Sequence, residues 1–266
     1  MTFFCDTHCH LTLDAYQEDL ELVIEEARNH EVKKILVPGI DLESSRAAIK
    51  LADQYEFIYA AIGVHPHDAQ TWKPYWCNEL KDMASNPKVV AIGEIGLDFY
   101  RNFSPPAIQK HVFQVQLEIA LEAELPVILH ERNSADEMWP MILSVADQFS
   151  TIFQYAWGVL HSFSGTLAYA QEAIRHGLLV GISGPVTYTK AIEKQQMTME
   201  LPLDRILLET DGPYLPPHPY RGKKNLPQYI PIIAEKIAQL KQCPVEQVRD
   251  VTTSSANSLF FWRSEH

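Results

Sequence analysis

Cysteine is scarce in this 266-residue chain: Cys5, Cys9, Cys77 and Cys243 are its only four, and no Cys-x-x-Cys pair occurs. That count excludes a disulfide framework and a thiolate-built structural zinc site, and it suits a reducing compartment. No apolar stretch approaches the ~18 residues needed to span a bilayer. The opening MTFFCDTHCH has neither the basic n-region nor the apolar h-region of an export signal. A soluble, cytoplasmic protein with no membrane partner is expected. Positive charge is short as well, 22 Lys and Arg against 34 Asp and Glu, for a formal net charge of −12. Such a balance argues against a broad basic surface that grips duplex nucleic acid by phosphate neutralisation, while leaving room for a local basic patch. Linkers, low-complexity tracts and charge blocks are missing too, so one domain over residues 1–266 is expected.

What is present can build a core. Apolar residues make up 46% of the chain, with five Trp, eleven Tyr and eleven Phe, and charged residues stand at a globular 21%. Short runs rich in Val, Ile, Leu and Phe fall at 3–7, 34–39, 57–64, 89–95, 126–130, 158–162, 178–183 and 205–210. Most are continuous rather than alternating, as strands covered on both faces should be. Helical patterns fill the gaps, at 16–31, 42–55, 73–85, 106–124, 135–147, 166–176, 188–200 and 228–241, with a further segment at 244–262. Eight strand-then-helix units predict an α/β fold, a single-domain TIM barrel of eight parallel strands with outer helices; a doubly wound open sheet is the competing arrangement.

In such a barrel, chemistry collects at the strand ends that open into βα loops. His8 and His10 close the first run within Asp6-Thr7-His8-Cys9-His10, and alternation points both imidazoles one way and Cys9 the other. The third run ends at His65-Pro66-His67-Asp68 and the fourth carries Gly93-Glu94-Ile95-Gly96-Leu97-Asp98. His130 ends the fifth, His161 the sixth and Asp211 the eighth. Each has an ordinary explanation alone: a strand-end His bonded to a carbonyl, or an acid capping the next helix. Together they do not, because gathering four imidazoles and two carboxylates around one axis is unfavourable unless cations compensate them.

Four nitrogen ligands and two carboxylates exceed what one tetrahedral ion takes, so two divalent ions are expected, Mg²⁺, Mn²⁺ or Zn²⁺, with Glu94 bridging them. His8, His10 and Asp211 are assigned to one ion, His130 and His161 to the other. Two ions about 3.5–4 Å apart activate a water for attack at phosphorus, and Asp211 is the candidate general base that takes its proton. Glu209, two residues before Asp211, is expected either to orient a ligand or the water, or to pair with a nearby cation. The loop after the eighth run holds Arg221, Lys223 and Lys224 among Pro216, Pro217 and Pro219, a candidate seat for substrate phosphates or a solvated loop. His65, Tyr100 and Arg101 are candidates to contact a phosphate or stack on a base. His30, His67, His111, His176, His218 and His266 receive no role. Ser162 and Ser164 have no spare His–Asp pair to activate them as nucleophiles.

The strings Asp6-Thr7-His8-Cys9-His10-Leu11, Gly63-Val64-His65-Pro66-His67, Gly93-Glu94-Ile95-Gly96-Leu97-Asp98, His161-Ser162-Phe163-Ser164-Gly165, Ser183-Gly184, Glu209-Thr210-Asp211 and Arg221-Gly222-Lys223 resemble those of the TatD-type deoxyribonucleases, in order from residue 6 to about 227. The resemblance implies a distorted TIM barrel of the amidohydrolase-like superfamily with a binuclear divalent site. The positions matching the family's metal ligands are His8, His10, Glu94, His130, His161 and Asp211. The implied activity is Mg²⁺-dependent removal of nucleotides from DNA 3′ ends, with nucleic acid ends, single-stranded DNA above all, as partner. Ser162 stands where Cys is frequent, and His130-Glu131-Arg132-Asn133 replaces the usual His-x-Arg-x-Ala; both bear on pocket shape and neither removes a ligand.

Two other functions compete. A hydrolase of small esters, amides or lactones uses similar chemistry on the same scaffold, but many such relatives bridge their metals with a modified Lys where this chain has Glu94. A non-catalytic binding barrel would be expected to have lost a ligand, and all six are present. Oligomeric state leaves no mark in the sequence.

Overall fold

The computed structural model describes residues 3–262, so His266, which has no expected role, lies outside them. Eight strands form one sheet whose hydrogen-bonded neighbours follow chain order. They are β1 (Phe4–Asp6), β2 (Val32–Pro38), β3 (Ile58–Ile62), β4 (Val89–Asp98), β5 (Val127–Arg132), β6 (Gly158–Leu160), β7 (Leu178–Ile182) and β8 (Ile206–Leu208). The pairs β1–β2, β3–β4, β4–β5, β5–β6 and β7–β8 are parallel. Between them run α1 (Leu20–Asn29), α2 (Leu42–Gln54), α3 (Trp76–Ala84), α4 (Pro106–Ala123), α5 (Ala135–Ile152), α6 (Leu167–Arg175), α7 (Ile192–Glu200) and α8 (Ile230–Lys241), and α9 (Val245–Phe260) follows. The fold is α/β, of the TIM-barrel class, as the eightfold alternation predicted.

Two compact units emerge from the packing. The first takes the chain up to Val37 with residues 162–175 and 179–258, and so holds β1, nearly all of β2, β7 and β8. Here the Thr7 N–H donates to the Leu208 carbonyl at 3.0 Å, which sets β1 beside β8. Val32, Ile35, Leu36, Val180, Ile206 and Ile230 are fully buried in it. The second takes Pro38–His161, residues 176–178 and the chain from Leu259, and holds β3 to β6. All ten residues of β4 are buried, and Phe113, Leu117, Val127 and Trp157 complete an apolar interior around them. Each such side chain, once buried, contributes about 1.5–3 kcal/mol, which is why the strand runs carry almost no polar interruption outside the places described below.

Local signals fix the helix starts. Asp41 caps α2, its carboxylate accepting the Ser44 N–H at 2.7 Å while Ser44 Oγ accepts the Asp41 N–H at 3.0 Å. Pro106 opens α4, where a missing N–H is harmless. Several boundaries differ from expectation, among them the start of α7 at Ile192 instead of 188, and three have a visible cause. The first helix begins at Leu20 instead of 16, because Tyr16 turns inward in a short 3₁₀ segment and donates its hydroxyl to the Asn225 carbonyl at 2.5 Å. The fifth runs on to Ile152, since Phe149 is buried and stacks on Trp157 with ring centroids 4.6 Å apart. The fourth strand continues past Ile95 to Asp98, because Gly96, Leu97 and Asp98 pair with His130, Glu131 and Arg132 of β5. No described helix is long and apolar enough to cross a membrane.

Candidate metal centre

In the first unit the ladder of β1 ends at Asp6, short of the histidines, and Asp6 itself ties the ends of β1 and β8 together. Its carboxylate accepts the Thr210 N–H at 2.9 Å, the Thr210 hydroxyl at 2.6 Å and the His8 N–H at 3.3 Å. Burial pushes this carboxyl up to about 7 against those bonds. Beyond it the two segments continue side by side: the Asp211 N–H donates to the His8 carbonyl and the His10 N–H to the Gly212 carbonyl, both at 2.8 Å, and Cys9 bridges to Gly212. Asp211 takes φ +58°, left-handed backbone that a non-glycine residue rarely adopts, which marks it as a constrained position. The result is a buried trio. His8 Nε2 and His10 Nε2 are 3.1 Å apart, and His10 Nε2 is 3.6 Å from Asp211 Oδ1. One ligand atom from each of the three lies within 4.8 Å of the others.

In the second unit a register shift between Ile92 and Ile95 inserts an extra residue into β4 opposite β5. A bulge of this kind re-aims side chains, and the residue affected is Glu94. Three imidazoles converge on its Oε1: His130 Nδ1 at 2.7 Å, His65 Nε2 at 3.5 Å and His161 Nε2 at 3.9 Å. Burial alone would raise the Glu94 carboxyl, but His65, His161 and the His130 hydrogen bond hold it well below the usual carboxylate range. Burial pulls His65 down to about 4. His130 goes the other way: although burial opposes its charge, hydrogen bonds with Asp98 and Glu94 push it up to about 9. An ionised carboxylate ringed by imidazoles is the donor set that imidazole- and oxygen-binding divalent cations take, so the residues of both clusters fit such an ion. Among the described residues, His65, Glu94 and His130 form a group close enough to hold one.

The six residues expected as ligands are thus gathered in two sets of three, His8, His10 and Asp211 in one unit and Glu94, His130 and His161 in the other. His65, expected at the substrate, sits within the second set. Glu209 is buried and its carboxylate accepts the Ser162 N–H in a short hydrogen bond, so it holds the turn after β6. That packing is close: a Cβ on Gly181 would lie 2.5 Å from Glu209 Oε2. In the loop after β8, Arg221 lies over the Tyr188 ring at 4.3 Å and Lys223 over Tyr220 at 5.8 Å, both exposed. Lys224, the third cation of the expected phosphate seat, is instead held by the Asp19 carboxylate at 2.7 and 2.8 Å and by the Ala15 carbonyl at 2.9 Å. Tyr100 and Arg101 lie exposed in the loop after β4, their N–H groups donating to Asp98 Oδ1 at 2.9 and 2.8 Å.

Three residues that the sequence left without a role stand out. Asp98 is fully buried, and its Oδ2 lies 3.2 Å from His130 Nε2 and 2.9 Å from His67 Nε2. Burial would raise its carboxyl, yet the bonds with His130, the Arg101 N–H and His67 lower it far below the ordinary range. The signal for both was in the pattern, since Asp98 lies four residues beyond Glu94 in a strand and His67 two beyond His65. The third is Lys194 of α7, which donates to the Phe163 carbonyl at 2.5 Å. Burial brings its amine down to about 8 against the pull of Glu209 and Asp211. It lines a cavity of about 390 Å³ with Ser164, Gly165, Lys190 and Glu193. No sequence pattern marks it, because its place depends on how α7 packs on the loop after β6.

Known proteins bear on this arrangement. The family described as TatD related DNase matches residues 5–261. An uncharacterised metal-dependent hydrolase, YabD of Bacillus subtilis, is 39% identical over 96% of this chain and 98% of its own. A 3′-5′ ssDNA/RNA exonuclease, TatD of Cronobacter sakazakii, is 36% identical over 96% and 97%. Among solved structures, the TatD homologue YJJV of Escherichia coli superposes with a TM-score of 0.90 at 30% identity, covering 97% of this chain and 98% of its own.

Proposed function

Since the chain belongs to the TatD-related DNase family, we propose that it is a divalent-metal-dependent hydrolase of phosphodiester bonds that removes nucleotides from the 3′ ends of single-stranded nucleic acid. The observation that carries this reading is the convergence of His65, His130 and His161 on one oxygen of Glu94, a buried anion arranged for a cation. We assign two ions, Mg²⁺, Mn²⁺ or Zn²⁺: one to His8, His10 and Asp211, the other to Glu94, His130 and His161. Such ions, when bound, polarise phosphoryl oxygens and lower the pKa of water toward ~7.

The remaining roles belong to the chain itself. Asp211 accepts the proton of the attacking water, its carboxylate aimed by the unusual backbone at that position. Asp98 fixes the ring of His130, and Glu209 fixes the backbone that follows His161, so both act by positioning. Arg221 and Lys223, exposed beside Tyr188 and Tyr220, supply charge for substrate phosphates, and Arg101, over the Tyr100 ring, does so on the loop after β4. Carboxylates and imidazoles, not a serine, provide the machinery, since Ser162 Oγ is engaged with Ser183 Oγ at 2.8 Å.

The test is end-labelled single-stranded DNA incubated with chelator-stripped protein refilled separately with Mg²⁺, Mn²⁺ and Zn²⁺. A ladder shortening from the 3′ end is expected with at least one ion, and Asp211→Asn lowers its rate by at least about a hundredfold. Hydrolysis of aryl esters with no loss of DNA under any ion would replace this reading with a small-molecule hydrolase.

A further inference from the structure

The loop between β4 and α4, residues 99–105, is unusually well fastened for a segment that carries exposed aromatic rings. Asp98 Oδ1 accepts the N–H groups of Tyr100 and Arg101. The Phe99 N–H donates to the Arg132 carbonyl at 2.9 Å. Ser104 is buried, donates its hydroxyl to the His67 carbonyl at 2.7 Å and accepts the Gln70 N–H at 3.0 Å. Gln109 Nε2 donates to the carbonyls of Ser104 and Asp98, at 2.8 and 3.0 Å. Between these anchors Tyr100 is 56% exposed and Phe103 58% exposed.

Exposed apolar side chains occur elsewhere on this surface, as at Leu22 and Ile192, and singly they call for no explanation. The loop differs in what lies under it. The Phe103 ring packs edge-on against His67 at 4.8 Å. His67 and His130 share Asp98 Oδ2, and His130 reaches Glu94. One face of Tyr100 is covered by the Arg132 guanidinium at 4.0 Å, with Arg101 at 5.6 Å. Two large rings, prepositioned on a buried polar frame and flanked by guanidinium groups, thus stand beside the Glu94 cluster.

We propose that Phe103 and Tyr100 form a stacking platform for nucleobases of a single strand, holding the nucleotides next to the phosphate that is cut. This deepens the exonuclease reading and rests on it. Stacking accepts any base, since every base offers a π-face, and it requires bases freed from a duplex, so the platform sets a preference for single strands without reading sequence. The rigid frame matters because a ring already held in place loses little freedom when a base settles on it.

The experiment compares a fluorescein-labelled ten-nucleotide oligothymidylate with an oligonucleotide of the same length whose last three residues are abasic. Affinity is read by anisotropy in EDTA, where nothing is cut, and KM with the activating ion. Phe103→Ala is expected to weaken binding of the oligothymidylate about tenfold and Tyr100→Ala somewhat less. The wild-type preference for the base-bearing strand shrinks accordingly, and Phe103→Trp restores it. Equal weakening on both strands, or unchanged affinity in both alanine variants, overturns the platform. If wild-type protein binds the oligothymidylate with the platform's signature yet cuts neither strand under any ion, the exonuclease reading fails, and with it the place of the rings beside a cut phosphate, while base stacking on them stands.

Discussion

A side chain need not touch an ion or a substrate to control a site, and Asp98 illustrates the case. It is buried, ionised and shared between two imidazoles, and one of these, His130, gives its other nitrogen to Glu94. A histidine ligand must present one nitrogen in a fixed direction, and the group on its far nitrogen decides which way the ring faces. Asp98→Asn keeps the size of the side chain but removes its charge, and with it the force that holds both rings. Metal affinity is expected to drop by about 10–100-fold, measured by titrating Zn²⁺ or Mn²⁺ into stripped protein against a chromophoric chelator. An affinity within about twofold of the wild type would make Asp98 a bystander. Both Asp98 and Glu94 stood in plain view in Gly93-Glu94-Ile95-Gly96-Leu97-Asp98. The sequence reading assigns chemistry to Glu94 alone, with the fourth apolar run bounded at 95. Strand alternation carried three residues further, to Asp98, puts the two carboxylates on one face.

At the scale of elements, β4 and β5 explain why the second cluster forms where it does. The extra residue between Ile92 and Ile95 turns Glu94, and the register then resumes so that Gly96 faces His130. Gly96 has φ +144°, and a Cβ there would lie 2.0 Å from the His130 carbonyl oxygen. Backbone cannot retreat as a side chain can, so the position admits only glycine. Gly96→Ala should destabilise the protein by about 2 kcal/mol or more, which lowers the thermal midpoint by roughly 4–8 °C for a chain of this size. A midpoint within about 1 °C of the wild type by circular dichroism would contradict the close approach. Elements of this kind were legible as to kind and order, because continuous apolar runs and 3.6-residue stripes follow directly from burial on two faces or one. Their ends were not. Tyr16 pulled inward toward Asn225, Phe149 packed on Trp157, and Lys224 drawn to Asp19 each depend on a partner far along the chain. Local pattern holds no trace of such partners.

Charge acts on the molecule as a whole. With a net charge of −12, the protein repels a polyanion at long range, and any grip on phosphates must come from a few placed cations. Those assigned to substrate are Arg101, Arg221 and Lys223, all exposed, whereas Lys224 is taken up by Asp19. Single-strand binding releases counterions in proportion to the phosphates neutralised, with a slope of about −0.7 per contact on a log–log plot. Three contacts give a slope near −2, so affinity for an oligothymidylate should fall only about twentyfold between 50 and 200 mM salt. Stacking on Phe103 and Tyr100 is insensitive to salt and would keep the curve shallow even where the cations are fully screened. A slope steeper than about −5, measured by anisotropy in EDTA, would require a basic surface that this chain does not display among its described residues, and would move the substrate contacts away from the three cations named here. A slope near zero would remove those cations from the interface and leave binding to the rings and the metal sites alone. An intermediate slope that becomes shallower by about 0.7 in each of Arg221→Ala and Lys223→Ala would tie the charge contribution to those two side chains.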